Sequence, residues 1–184
     1  MKKIILAALA LVVAFTFTAC ESPELTKEEL LIQKKGWTLY TATSIPAYKN
    51  YEGVTSENLL VSYFIECELD DILYFYENKS SIMNFGKKDC EGQVGKDASL
   101  GNWRFLNDNV LEFHLPYFCD ESDNLALLEG KVIVLDEETL QLRVPVVFYG
   151  DPAKSQGKIR NDRGIRNAKG DDDKFEFTFT YKAK

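Results

Sequence analysis

The stretch "KFEFTFTYK" (174–182) constrains the fold more tightly than any other part of the chain. Phe175, Phe177, Phe179 and Tyr181 share one face of an extended segment, with Glu176, Thr178 and Thr180 on the other. A period of two is the mark of a strand with one buried side. The same pattern extends to "WTLYTAT" (37–43), "LLVSYFI" (59–65), "ILYFY" (72–76), "SIMNF" (81–85), "WRFL" (103–106), "VLEFHL" (110–115), "KVIVL" (131–135) and "LQLRVPVVFY" (140–149). Ahead of them "LTKEELLIQKK" is a short helix. Thr26 is its N-cap, Glu29 at N3 completes a capping box, and Leu25 and Leu30 take the positions of a hydrophobic staple. Many short strands joined by short turns, after one capped helix and with no internal repeat, predict an antiparallel barrel or sandwich.

The turns predict hairpins in series. "NDN" (107–109) sets Trp103 opposite Phe113, Arg104 opposite Glu112 and Phe105 opposite Leu111. "DEET" (136–139) sets Leu135 opposite Leu140 and Ile133 opposite Leu142. Pro145 within a strand predicts an edge or a bulge, because proline gives no N–H to the ladder. A turn centred on Asn78–Lys79 pairs Tyr76 with Ser81, Phe75 with Ile82 and, at the open end, Cys67 with Cys90. Paired strand positions lie within the Cα separation a disulfide accepts. Such a bridge closes a loop worth roughly 3 kcal/mol in the chain-entropy treatment.

The N-terminus reads as a targeting segment. Lys2 and Lys3 precede an apolar and hydroxyl run from Ile4 to Thr18, too short for a spanning helix, and small residues lead to Cys20. That cysteine resembles the lipobox of bacterial lipoproteins, which implies a diacylglycerol on its thiol. The expected organisation is therefore a signal peptide over 1–19, a lipidated tether over 20–25 and one domain over 26–184. Removing residues 1–19 takes two lysines and no acid, so the net charge moves from −7 to −9 over the remaining 165 residues. An acidic chain argues against nucleic acid and against attraction to anionic headgroups. Attachment to a membrane is expected through the lipid. In an oxidising compartment Cys67, Cys90 and Cys119 allow one bridge and leave one thiol.

Taken in order, "KKGWTL", "CELDDILYF", "KKDC" and "GNWRFL" behind such a lipobox resemble the lipocalin-like domain family of lipoproteins from Gram-negative anaerobes. The resemblance implies an eight-stranded antiparallel up-and-down β-barrel with a short N-terminal helix and a small cavity. It also implies an outer-membrane lipoprotein of the cell envelope. Cys67 and Cys90 match the family's paired cysteines, and Phe75 its strand phenylalanine.

The chemistry of catalysis is sparse. His114, the single histidine, alternates with Leu and Phe in "LEFHL", which points to a structural role and leaves no triad. Asp70, Asp71, Asp120, Glu121, Asp123 and the run Asp171–Asp173 read as solvated turn acids, without the spacing of a calcium loop. No enzyme activity, metal or cofactor is expected. Binding is the better expectation, because a barrel of this size encloses packed side chains or one small ligand. The expected function is a lipid-anchored protein holding a small apolar or amphipathic ligand. Phe75, Trp103, Phe105, Phe113 and Phe177 would line the site, and Arg143 would be a polar anchor wherever it points inward. The alternative is a non-catalytic interaction module, a filled barrel that meets an envelope protein partner. The polar stretch 150–173, long for a connection, reads as a surface loop or, alternatively, as a lid or partner-docking loop.

Overall fold

The computed structural model describes residues 24–33, 35–50, 52–88, 92, 94–119, 125–148 and 173–184. The expectations for the signal segment, Cys20, Cys90, residues 120–124 and the stretch 149–172 fall outside them. The chain is mostly antiparallel sheet, curled into a nearly closed barrel. Helix α1 (Lys27–Leu31) comes first, then β1 (Trp37–Lys49), β2 (Thr55–Asn58) and helix α2 (Leu59–Ser62). A 3-10 turn (Glu66–Glu68) leads to β3 (Ile72–Phe75), β4 (Ser80–Asn84), β5 (Asp97–Asn102) and β6 (Arg104–Asn107). The last four strands are β7 (Val110–Cys119), β8 (Leu125–Leu135), β9 (Thr139–Phe148) and β10 (Asp173–Ala183).

The described residues form ten strands where eight were expected, for two physical reasons. Strand β2 is an added spur that pairs only with β1, Tyr48 with Ser56 and Lys49 with Thr55 at its far end. Residues 97–107 also divide at Trp103 into β5 and β6. The sheet runs β5-β4-β3-β1-β10-β9-β8-β7-β6, so its two outermost strands are consecutive in sequence. The first half of this segment pairs with β4 and the second with β7, which brings the sheet's ends together.

Strand β10 behaves as its period demands: Phe177, Phe179 and Tyr181 are buried, and Glu176 and Lys182 are exposed. It is paired along its length with β9, whose Leu140, Leu142, Val144 and Val146 supply the neighbouring core face. Pro145 faces Glu176 on β10 and lies past the β8–β9 register, which spans Lys131↔Arg143 to Leu135↔Leu140. The proline thus sits where no second ladder needs its N–H.

Some expected registers hold and others need correction. The pairs Arg104↔Glu112, Phe105↔Leu111 and Leu135↔Leu140 form as expected. Leu142, however, faces Val132 rather than Ile133, because β8 bulges there. In the β3–β4 hairpin Phe75 faces Ser81 and Tyr74 faces Ile82, one residue from the expected alignment. Its loop is three residues, 77–79, with Lys79 at φ 67° and the Tyr76 N–H donating to the Ser80 carbonyl at 3.0 Å. A type I turn closed by a left-handed residue is the usual three-residue hairpin solution. Cys67 lies on the 3-10 turn and not on a strand.

The stretch 59–65, expected as a strand, is helical at its start. The Asn58 side chain accepts from the Leu60 N–H at 3.1 Å, and Leu59, Ser62 and Tyr63 are buried at helical spacing. At the other end of the barrel α1 carries the expected capping box. The Glu29 N–H donates to Thr26 Oγ1 at 3.2 Å, and the Thr26 N–H to Glu29 Oε2 at 2.7 Å. Leu25 is exposed, so the staple position is not packed.

Candidate functional site

The barrel interior is crowded. Phe75, Trp103, Phe113 and Phe177 are each at most 2% exposed, which is the burial of core residues packed on every side. Phe105 is half-buried at the rim of the same group. The rings of Phe75 and Trp103 meet edge-on at 5.7 Å, and Trp103 meets Phe105 at 6.2 Å. Phe177 packs in the same core against Tyr48 at 6.3 Å, Tyr63 at 5.8 Å and Phe179 at 6.0 Å. The aromatic positions expected to line one site are therefore part of one packed core, with Phe105 at its edge.

Arg143 is on the outer face. It pairs across the sheet with Thr178 and Lys131, and its Nε lies 3.4 Å from Glu176 Oε1 with both side chains 47% exposed. The inner face of β9 is taken by Leu142 and Val144 on either side of it. Strand parity thus excludes an inward polar anchor at this position.

Sequence reasoning missed Tyr48, Tyr63 and Phe64, three buried core rings. Tyr48 and Tyr63 meet edge-on at 5.3 Å, and Phe64 meets Phe179 at 6.3 Å. Helix α2 delivers Tyr63 and Phe64 from outside the strand order into the barrel. The available signal was Asn58, a helix-capping residue directly before "LLVSYF".

Two polar atoms beside these apolar side chains have no hydrogen-bond partner: Ser44 Oγ and the Tyr181 hydroxyl. Burial pushes the Tyr181 phenol well above its ordinary range.

A second concavity, about 400 Å³, lies between α1 and the β3–β4 turn, lined by Thr26, Glu28, Glu29, Glu77, Lys79 and Trp103. Lys79 Nζ is 2.7 Å from Glu28 Oε1 and 4.3 Å from the centre of the Trp103 ring it covers. Trp103 Nε1 donates to the Tyr76 carbonyl at 3.2 Å. Hydrogen bonds from Thr26 hold the Glu29 carboxyl below its usual range. The cleft is thus walled by its own ion pair and cap, and its lining presents no nucleophile beside a base.

Asp71 is buried, contrary to expectation, and Asp70 is half-buried. Asp71 is 4% exposed and its Oδ1 accepts from the Gly86 N–H at 3.0 Å. Asp70 Oδ2 accepts from the Lys87 N–H at 2.7 Å and the Lys88 N–H at 3.3 Å, while Lys88 Nζ reaches Glu66 Oε1 at 2.7 Å. These contacts clasp the backbone after β4 to the turn that carries Cys67. Both carboxylates are thereby engaged in structure.

His114 is half-buried against Gly101, where a Cβ would stand 3.5 Å from its Nδ1. Among the described residues no group of three or more His, Cys, Asp or Glu side chains is arranged to hold a metal ion. Among them, too, no helix is long and apolar enough to cross a membrane. Comparison with family models, with curated proteins and with solved structures finds no match to this chain.

Proposed function

We propose that the protein is a lipid-anchored, lipocalin-like envelope protein without catalytic activity, and that it works through its outer surface as an interaction module. The observation that carries this reading is the interior. Four of the five aromatic residues expected to line a ligand site are core residues, and Tyr63 and Phe64 are buried against Phe177 and Phe179. The anchor belongs to the reading through Cys20 and its lipobox-like setting. So does a Cys67–Cys90 bridge. It is supported by the Asp70 and Asp71 clasp on residues 86–88, just before Cys90.

Native mass spectrometry of the mature chain, extracted from its own envelope, tests the reading. The expected mass is that of the lipidated polypeptide carrying one disulfide and no retained small molecule. A stoichiometric apolar guest would overturn the filled interior.

One observation favours a second reading, a small amphipathic ligand inside the barrel. The Tyr181 hydroxyl and Ser44 Oγ are buried among apolar side chains without partners, and an unpaired buried polar group costs about 1–3 kcal/mol. A guest with a polar end would relieve that cost. Thermal stabilisation by a fatty acid that disappears in Tyr181→Phe is the outcome this second reading expects.

A further inference from the structure

Resting on the proposed anchor at Cys20, we infer which end of the barrel faces the membrane: the end bearing α1 and the turns at 77–79, 108–109 and 136–138 lies against the bilayer, and the α2 end points away. Reach is the first constraint. Six peptide steps separate Cys20 from Thr26, and a fully extended chain spans at most about 3.6 Å per residue, roughly 22 Å in all.

Beyond Thr26 the chain is fixed to the barrel rather than hinged. Lys27 Nζ donates to the Asp108 carbonyl and to Asn109 Oδ1. Glu28 pairs with Lys79 at 2.7 Å, Gln33 Nε2 donates to the Asp136 carbonyl at 3.4 Å, and Trp37 Nε1 to the Leu31 carbonyl at 2.9 Å. The Lys184 N–H donates to the Gly36 carbonyl at 3.2 Å, so the last residue is tied at the same end. Three separate turns therefore grip α1 and its flanks.

The opposite end is out of range. Ile45 lies eight residues along β1 from Trp37, roughly 26 Å at about 3.3 Å per residue. Val61 on α2 and Ile45 are both more than 60% exposed, and this geometry turns them toward the aqueous side. The near end carries both signs of charge, Lys27, Lys79 and Lys182 against Glu77, Asp108 and Glu137. Attraction to headgroups is thus not what sets the approach; the short tether is.

Paramagnetic relaxation enhancement from a gadolinium-chelate lipid reads the orientation directly. The full-length lipidated chain is placed in nanodiscs of phosphatidylethanolamine and phosphatidylglycerol, and amide relaxation is measured along the barrel. Enhancement at Glu77, Asp108 and Glu137 is expected to exceed that at Ile45 and Val61 by about tenfold or more, given these separations. Equal or reversed enhancement, on a chain whose intact mass carries the diacylglycerol, overturns the orientation and leaves the anchor standing. An intact mass without the lipid overturns both. Cys20→Ala is expected to lose enhancement at both ends. Enhancement retained in that variant would mean that another face binds lipid, which also overturns the inference.

Discussion

Tyr181 carries a hydroxyl into the barrel's apolar interior and finds no partner for it. Removing that oxygen while keeping the ring leaves the packing intact, so Tyr181→Phe is expected to be neutral or stabilising by up to about 1 kcal/mol. A pH dependence has the same cause. The phenol is held above the ordinary value near 10, so the folded state keeps the proton where the unfolded chain has begun to lose it. The stability this contributes is present below about pH 10 and is lost as pH rises through the folded value. Alkaline denaturation monitored by circular dichroism should show the wild type losing stability faster than Tyr181→Phe above that point. Parallel curves would remove Tyr181 as the cause. Gly86 is a second residue whose role is steric: a Cβ there would clash with Asp70 Cγ and stand 2.6 Å from the Asp70 carbonyl oxygen. Gly86→Ala is expected to lose about 1–3 kcal/mol in urea unfolding with the slope unchanged. Adding Asp70→Ala should recover only part, because the carbonyl remains.

Among the elements, the 3-10 turn and the segment after β4 depend on each other through the aspartate clasp. Asp71→Ala leaves the Gly86 N–H without its buried acceptor, an expected loss of about 1–3 kcal/mol. Hydrogen exchange would localise it: protection at residues 86–88 should fall well before that of β9 and β10, and uniform loss across the sheet would refute a local clasp. The neighbouring elements differ in how readable they were from sequence. The capping box of α1 was legible because it is local, needing only Thr26 and Glu29 three residues apart. Arg104 opposite Glu112 was legible because a short loop fixes nearby pairs. The hairpin before the clasp was misaligned by one residue because nothing in "ENKS" announces that Lys79 takes the left-handed conformation, which glycine or asparagine favours. Strand β5 went unread since, of "DASLGN", only Leu100 is buried and no alternation appears. Helix α2 was read as strand because "LLVSYF" is a short apolar run, for which periodicity cannot separate strand from helix.

For the molecule as a whole, antiparallel curvature was evident from the alternating strands, while the packing of α2 against them was not. Two bulges, at Tyr40 in β1 and Ile133 in β8, switch the inward parity of their strands, and a bulge inserts its extra residue without a fixed residue type. Whether a barrel is hollow depends on how side chains from separate elements meet, here on α2 sending Tyr63 and Phe64 against Tyr48, Phe177 and Phe179. That meeting is testable by removing the plug. Phe64→Ala deletes a ring that is 7% exposed, and aromatic truncation in a core costs about 3–5 kcal/mol when the walls do not collapse. A cavity so made would be lined by aromatic and aliphatic side chains, and apolar cavities of this kind stay dry and take up small apolar guests. The variant should therefore be destabilised in urea yet gain stability from added benzene or xenon, by a margin the wild type does not show. Equal stabilisation of wild type and variant would mean that the native barrel already holds usable space, and the ligand-binding reading would displace the filled one.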